Sequence, residues 1–439
     1  MDRIVALSWR DKERVGHLDL ESLEIHIRTT MHEVGSVMLE KLINSDGGGY
    51  RGTTLPCKHG HVFEFKEYRD KKVLTVLGLV TIRRAYYYDP RCEQGYCPKD
   101  RDLDIEETSF SPGVRRMMAK VGAYRPFGLG PEDLRELAGI EVNGKAIERV
   151  SYELGESVEA FHQREAEGFV SGKVVPMFIK PIPKMYIGMD GTGVPVVKAE
   201  TVNRRGKGEQ GEAKTREAKL GCVFTQTGVN EKGFPVRDEH STSYVGAIEG
   251  PDTFGPRLYA EALRRGLEKA HKVCVMGDGA PWIWNLAEEH FYGATQIIDL
   301  YHGREHYWNV ARSVFGADRD TLNRWTGSRR KELDRGKVER VIEAIGNLCP
   351  STETQEKILQ GEIAYFEKNK ERMRYAEFRK QGLFIGSGVV EAGCRCVIGQ
   401  RLKQSGMHWT VKGANPIIAL RCCILSARWE DFWEYRASG

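Results

Sequence analysis

The chain has 439 residues, 40% of them hydrophobic and 29% charged, and 66 Lys and Arg against 62 Asp and Glu leave a formal net charge of +4. Such a length predicts about two to four domains with ample core. No apolar run is long enough to span a bilayer and the first residues lack a signal-peptide core, so a cytoplasmic protein is expected. The ten cysteines are scattered over the whole length, which favours reduced thiols over a disulfide framework, and the net charge is too mild to announce nucleic acid unless it is clustered.

In chain order, residues 20–43 space Leu, Ile, Met and Val along one helical face, and Asp46-Gly47-Gly48-Gly49 breaks it. Residues 50–100 turn to β character: Phe63-Glu64-Phe65, then 73–77, then 80–88 alternate apolar and polar positions, with Gly78 placed to turn a hairpin. Cys57, His59 and His61 flank this segment on one side, Cys92 and Cys97 on the other. Thiols and imidazoles at the ends of a ribbon build structural zinc sites, because four ligands close a tetrahedron. Neither end has a clean Cys-x-x-Cys pair. The pattern therefore stays open between a zinc ribbon, with Cys57, His59, His61 and Cys92 as Zn²⁺ ligands, and a metal-free hairpin.

Helices are predicted to open near Ser111, Gly130 and Gly144. The last two, joined through residues 139–143, resemble a helix-turn-helix offering Lys145 and Arg149 to DNA, although two helices packed in an all-α linker fit equally. From residue 184 strands return. An apolar run contains Asp190, and a charged excursion follows with Arg204, Arg205, Lys207, Lys214 and Arg216. Further strands are expected at residues 220–225 and near Ser243, then a helix at about 253–269. A strand at residues 273–276 ends at Asp278, a helix opens at Pro281, and Ile297-Ile298 ends at Asp299. Three antiparallel strands followed by alternating helices and parallel strands is the element order of an RNase H-like α/β core, in which Asp190 would stand beside Asp278. Either aspartate taken alone serves as well as a helix cap.

Two adjacent carboxylates stay ionised cheaply only with a cation between them, and hard oxygen ligands open to solvent select Mg²⁺ or Mn²⁺. Glu391, in the first turn after Gly386-Ser387-Gly388, is the third candidate ligand, and Arg395, Arg401 and Lys403 follow it as phosphate contacts. Residues 302–382 read as a helical insertion. Arg324, Arg329, Arg330, Lys331, Arg335, Lys337 and Arg340 cluster there among Glu332, Asp334 and Glu339, which suits a solvated face or a surface tracking DNA. Trp409 is a DNA contact or core. A zinc enzyme built on His302, His306 and Asp299 lacks a general-base glutamate in the usual place between the histidines.

Taken together, Asp190-Gly-Thr-Gly, Gly277-Asp278-Gly-Ala-Pro-Trp-Ile, Ile298-Asp299-Leu-Tyr-His302 with His306, and Gly386-Ser-Gly-Val-Val-Glu391 ahead of Arg401, Lys403 and Trp409 resemble the ISKra group of bacterial insertion-sequence DDE transposases. The resemblance spans essentially the whole chain, including Arg83-Arg84-Ala-Tyr-Tyr-Tyr88 before Cys92, Gly95, Pro98 and Asp100. It implies Asp190, Asp278 and Glu391 as the catalytic triad. Asp299 and His302 would form a signature shared with Mutator-like transposases, next to the active site. It further implies DNA as partner and a homo-oligomer acting on it. One departure stands out: Asp89 occupies the place of a cysteine usual in these relatives, and Cys97 falls outside its usual position.

The expected organisation is an N-terminal helical segment (1–49), a β-ribbon (50–105), a helix-turn-helix-like DNA-binding segment (106–175) and an RNase H-like catalytic core (180–301 and 383–439) interrupted by the helical insertion (302–382). The expected activity is cleavage of insertion-sequence ends and joining of their 3′-hydroxyls to target DNA. A catalytically inactive DNA-binding regulator and a site-specific nuclease without strand transfer are the alternatives.

Overall fold

The computed structural model describes residues 19–174, 181–206 and 211–438. The first eighteen residues of the expected N-terminal segment, and Lys207 of the charged excursion, lie outside them. Contacts divide the chain into two units, Met1–Ser151 and Tyr152–Gly439.

In the first unit, α1 (Leu20–Asn44) is capped by Asp19, whose carboxylate accepts from Glu21 N. The strands β1 (Thr54–Pro56), β2 (Val62–Thr75), β3 (Gly78–Asp89) and β4 (Gln94–Tyr96) form an antiparallel sheet in chain order. The sequence pattern breaks β2 into two short pieces around its polar middle. The structure has one 14-residue strand, because β3 pairs with it from Glu64 to Thr75 and leaves most of the charged side chains of its middle in solvent. Gly78, at φ +121°, makes the turn. Val73, Val80, Ile82 and Ile105 form the core here, with Leu39 and Ile43 of α1 against them. Then come α2 (Pro98–Asp102), α3 (Pro112–Tyr124), α4 (Gly130–Ala138), which ends on left-handed Gly139, and α5 (Gly144–Val170), within which the division falls.

The second unit is a mixed α/β structure around a five-stranded sheet. Its strands are β5 (Ile182–Pro195), β6 (Thr215–Gln226), β9 (Ser243–Ala247), β10 (Ala270–Gly277) and β11 (Thr295–Ile298), while β7 (Gly228–Val229) and β8 (Pro235–Val236) form a separate hairpin. The order across the sheet is β11-β10-β5-β6-β9. β5 with β6 and β6 with β9 run antiparallel, β5 with β10 and β10 with β11 parallel. Met185, Tyr186, Ile187, Met189, Val223, Cys274, Val275 and Ile297 are all fully buried, as unbroken apolar strands require when both faces are covered.

On one face lie α6 (Pro251–Arg264) and α7 (Pro281–His290); a Cβ on Gly221 would meet Leu258 and Phe254 of α6. After β11 the chain leaves the sheet through α8 (Leu300–Phe315), α9 (Arg319–Asp334), α10 (Val338–Gly346), α11 (Glu353–Asn369) and α12 (Tyr375–Lys380). These helices bury Tyr307, Val310, Leu333, Val341, Ile345 and Phe366 in a core of their own. The chain returns as α13 (Gly388–Gly393), a π-helical turn (Cys394–Gly399), α14 (Gln400–Leu402), α15 (Val411–Leu425) and α16 (Trp429–Ser438). The face opposite α6 is covered by α13 and α15. A Cβ on Gly188 would lie 3.1 Å from Val390 Cβ and 2.8 Å from Cys222 Sγ, so glycine is what lets α13 cross β5 this closely.

A second glycine makes a similar approach at the back of the unit. A Cβ on Gly155 of α5 would overlap the carbonyl of Pro416 in α15. Gly155→Ala is therefore expected to destabilise the protein by about 1–3 kcal/mol through forced displacement of backbone. Urea unfolding measures it, and an unchanged midpoint would show that α5 yields freely.

Candidate functional site

Sheet register determines where the two strand-end aspartates fall. Met276 of β10 pairs with Gly188 of β5, and residues two further along each strand point to the same face. Asp190 and Asp278 therefore stand next to each other, at and just beyond the paired ends, on the face covered by α13. Asp190 Oδ1 accepts from Gly191 N at 2.7 Å and Asp278 Oδ1 from Ala280 N at 2.9 Å, so each carboxylate also shapes the turn that follows it. Burial pushes the Asp190 carboxyl above its usual range and the Asp278 charge adds to this; the Cys394 thiol, Gly191 N–H and His302 pull the other way. Burial holds the Cys394 thiol protonated, and it donates to Asp190.

Asp299 has a different place. It is fully buried at the end of β11; Oδ1 accepts from Tyr301 N (2.7 Å) and His302 N (2.9 Å), capping α8, while Oδ2 accepts from Ser387 N just before α13. Leu300 N donates to Ile385 O at 3.0 Å beside it. Ser387 Oγ in turn donates to Glu391 Oε1 at 2.6 Å. Asp299 thus ties the strand that follows Asp278 to the helix that carries Glu391. His302, in the first turn of α8, lies within electrostatic reach of Asp190. The helical insertion contributes from α11: Tyr365 donates to the Asp278 carbonyl (3.3 Å) and stacks on His306 at 3.5 Å, and His306 Nδ1 is 2.5 Å from Glu362 Oε2. With His306 so engaged and Asp299 saturated by backbone N–H groups, the zinc enzyme on His302, His306 and Asp299 is not the arrangement present.

Asp190, Asp278 and Glu391 are not among the described groups of three whose ligand atoms all lie within 4.8 Å of one another. The adjacent aspartates offer hard oxygens to a divalent cation, and Glu391, exposed on α13, is held by the Ser387 hydroxyl.

The basic residues divide. Lys403 Nζ donates to Thr192 Oγ1, two residues from Asp190; Arg395 is exposed, and so are Lys145 and Arg149 on α5 in the first unit. Arg330 is 66% exposed, whereas Arg329 is paired with Glu332 at 2.7 Å and lies over Trp325. Arg401 and Trp409 need correction as DNA contacts. Arg401 is 1% exposed with its guanidinium over the Trp409 ring, and Trp409 Nε1 donates to Leu402 O. Buried cation–π packing holds the end of the sheet unit together and leaves nothing to meet a phosphate. Arg401→Leu is accordingly expected to lower the melting temperature while leaving the salt dependence of DNA binding unaltered; a reduced salt slope would restore the phosphate role.

In the first unit Cys57, His59, His61 and Cys92 lie together, joined by Asp89; Cys97 lies apart, near Arg84 and Asp100. Cys394, Ser387 and Tyr365 were not singled out from the sequence. Cys394, one helical turn after Glu391, carried a usable signal; Tyr365 carried none, since only the fold brings α11 over the Asp278 turn. A separate cavity of about 630 Å³ between α5, β9, α6 and α15 is lined by Glu159, Glu165 and Glu261 but by none of Asp190, Asp278 and Glu391.

Fold and site together define a mixed α/β protein with paired aspartates just past the point where the pairing of two parallel strands ends. No protein-family model matches the chain, and no curated protein matches its sequence. Among solved structures it is similar to the Drosophila P element transposase strand transfer complex, with a TM-score of 0.24 and 9% identity over 77% of this chain and 83% of that one, a likeness too loose to bear on function. Among the described residues no helix is long and apolar enough to cross a membrane.

Proposed function

We propose that this protein is a DDE transposase of the ISKra type, with an RNase H-like core that cleaves insertion-sequence ends and joins the 3′-hydroxyls to target DNA. The observation that carries the reading is the placement of Asp190 and Asp278 on one face, just past the last paired residues of β5 and β10, with α13, the helix that carries Glu391, over that face. The sheet order supports it: numbered by appearance within this five-stranded sheet, the strands lie 5-4-1-2-3 with the first three antiparallel, as an RNase H-like core requires.

Asp190, Asp278 and Glu391 would hold Mg²⁺ or Mn²⁺, which when bound activates an attacking oxygen and stabilises the leaving one in phosphodiester chemistry. Around it, Asp299 is the positioning group that fixes Ser387 and so α13. The Cys394 thiol steadies the Asp190 carboxylate. His302 and Lys403 stand near Asp190 and suit the scissile phosphate, and Arg395, Arg330, Lys145 and Arg149 are exposed for backbone contacts along DNA. Action as a homo-oligomer on paired ends belongs to the same proposal.

The test is incubation of the purified protein with DNA carrying the sequences that flank its gene, in Mg²⁺. Strand breaks at the repeat ends followed by joined products support the transposase. Breaks without joining support the nuclease alternative, and binding without breaks the regulator.

A further inference from the structure

We propose that the first unit binds a structural zinc ion between two turns at one end of its β-sheet, through Cys57, His59, His61 and Cys92. This rests on the first unit alone and stands or falls apart from the transposase reading.

The ligands come from two turns. Between β1 and β2 the chain folds back on itself, with Cys57 N donating to His61 O at 2.9 Å and Gly60 N to Cys57 O at 3.0 Å; left-handed Gly60, at φ +79°, makes this tight return possible. Cys92 sits in the turn between β3 and β4, and the pairing of β2 with β3 brings the two turns to the same end of the sheet.

The Cys57 and Cys92 sulfurs are 3.7 Å apart, and His59 Nδ1 is 3.7 Å from the first and 3.4 Å from the second. Both thiols are free, and at that separation they form no disulfide. Bonds of about 2.3 Å from zinc to sulfur and about 2.0–2.1 Å to nitrogen place tetrahedral ligand atoms about 3.5–3.8 Å apart, so these three atoms already span one face of such a site. His61 Nδ1, 3.1 Å from Cys92 Sγ, belongs to a second set with Cys92 and Asp89, and a turn of its ring toward Cys57 and His59 closes the fourth corner.

Asp89 is the second, independent sign. Its side chain is 1% exposed; Oδ1 accepts from Arg91 N at 2.9 Å, but buried Oδ2 has no hydrogen-bond partner and lies 3.6 Å from His61 Nδ1. A buried carboxylate oxygen left in this way is costly unless a cation stands next to it. A divalent ion in the cluster supplies that charge. Cys92 belongs both to the set with Cys57 and His59 and to the set with His61 and Asp89, which makes it the ligand the site can least lose.

The full chain is stripped with EDTA and titrated with Co²⁺. Thiolate-to-cobalt charge transfer and tetrahedral d–d bands are expected in the native chain and in Cys349→Ala, whose thiol is exposed and remote in sequence, and are expected to vanish in Cys92→Ala. Because Cys92→Ala can fail to fold, alkylation of the native chain with iodoacetamide is mapped by peptide mass spectrometry with and without Zn²⁺. Protection of Cys57 and Cys92 but not of Cys349 supports the site. Absence of cobalt bands in the native chain, or equal alkylation of Cys57 and Cys92 in both conditions, overturns it.

Discussion

Asp278→Asn is expected to slow DNA end cleavage in Mg²⁺ by roughly a thousandfold, while DNA affinity and its salt dependence stay as they are. The amide has the shape of the carboxylate and its oxygen can still accept from Ala280 N, so the turn into α7 is retained. What disappears is one of two negative charges at neighbouring strand ends. Asp190, whose carboxyl is pushed upward by burial and then by the Asp278 charge, becomes easier to ionise once that neighbour is neutral. A cation bound there nevertheless loses one of its charged ligands. Cleavage of an end-labelled duplex in Mg²⁺ is the measurement. A native rate would remove Asp278 from the chemistry, and lost affinity would show that the substitution disturbed the fold instead.

Asp299→Ala is expected to act on stability first, by roughly 3–5 kcal/mol, because three backbone donors, the one from Ser387 fully buried, lose their acceptor at once. Tyr301 N and His302 N lose the cap of α8, and Ser387 N loses the tie that sets α13. Asp299→Asn keeps the Oδ1 acceptor but turns an N–H₂ toward Ser387 N, so a smaller loss is expected. Urea unfolding of the three proteins orders them native, Asn, Ala. Full stability in the Ala variant together with loss of cleavage would make Asp299 a direct participant rather than a positioning group.

The sheet was legible in the sequence where its strands are buried on both faces. The runs around Met185, Leu220 and Val273 are apolar because helices cover both sides, with Asp190 inside the first strand and Asp278 just beyond the last. The helical character of residues 302–382 was legible too. Less readable was anything decided by which face a side chain takes after folding. Arg401 lies in a basic, aromatic-rich stretch that reads as surface, yet its long stem and planar head pack against Trp409 in the interior. Asp299 shares its pattern with Asp278, a carboxylate at the end of an apolar run, and only the surrounding N–H groups separate a buried cap from an open ligand. The polar middle of β2 hid a continuous strand because its partner, not its own alternation, holds it extended.

The helices α8–α12 depart from the sheet at Leu300 and rejoin it at Ile385, two residues linked to each other by a hydrogen bond. An excursion whose entrance and exit share one doorway can grow, shrink or be exchanged for another cassette without altering the spacing of the strands it interrupts. What such a graft would have to reproduce is a small set of return contacts: Tyr365 to the Asp278 carbonyl, Arg372 to Gln296 and Glu288, and the Gln381 and Gly382 carbonyls to Lys184.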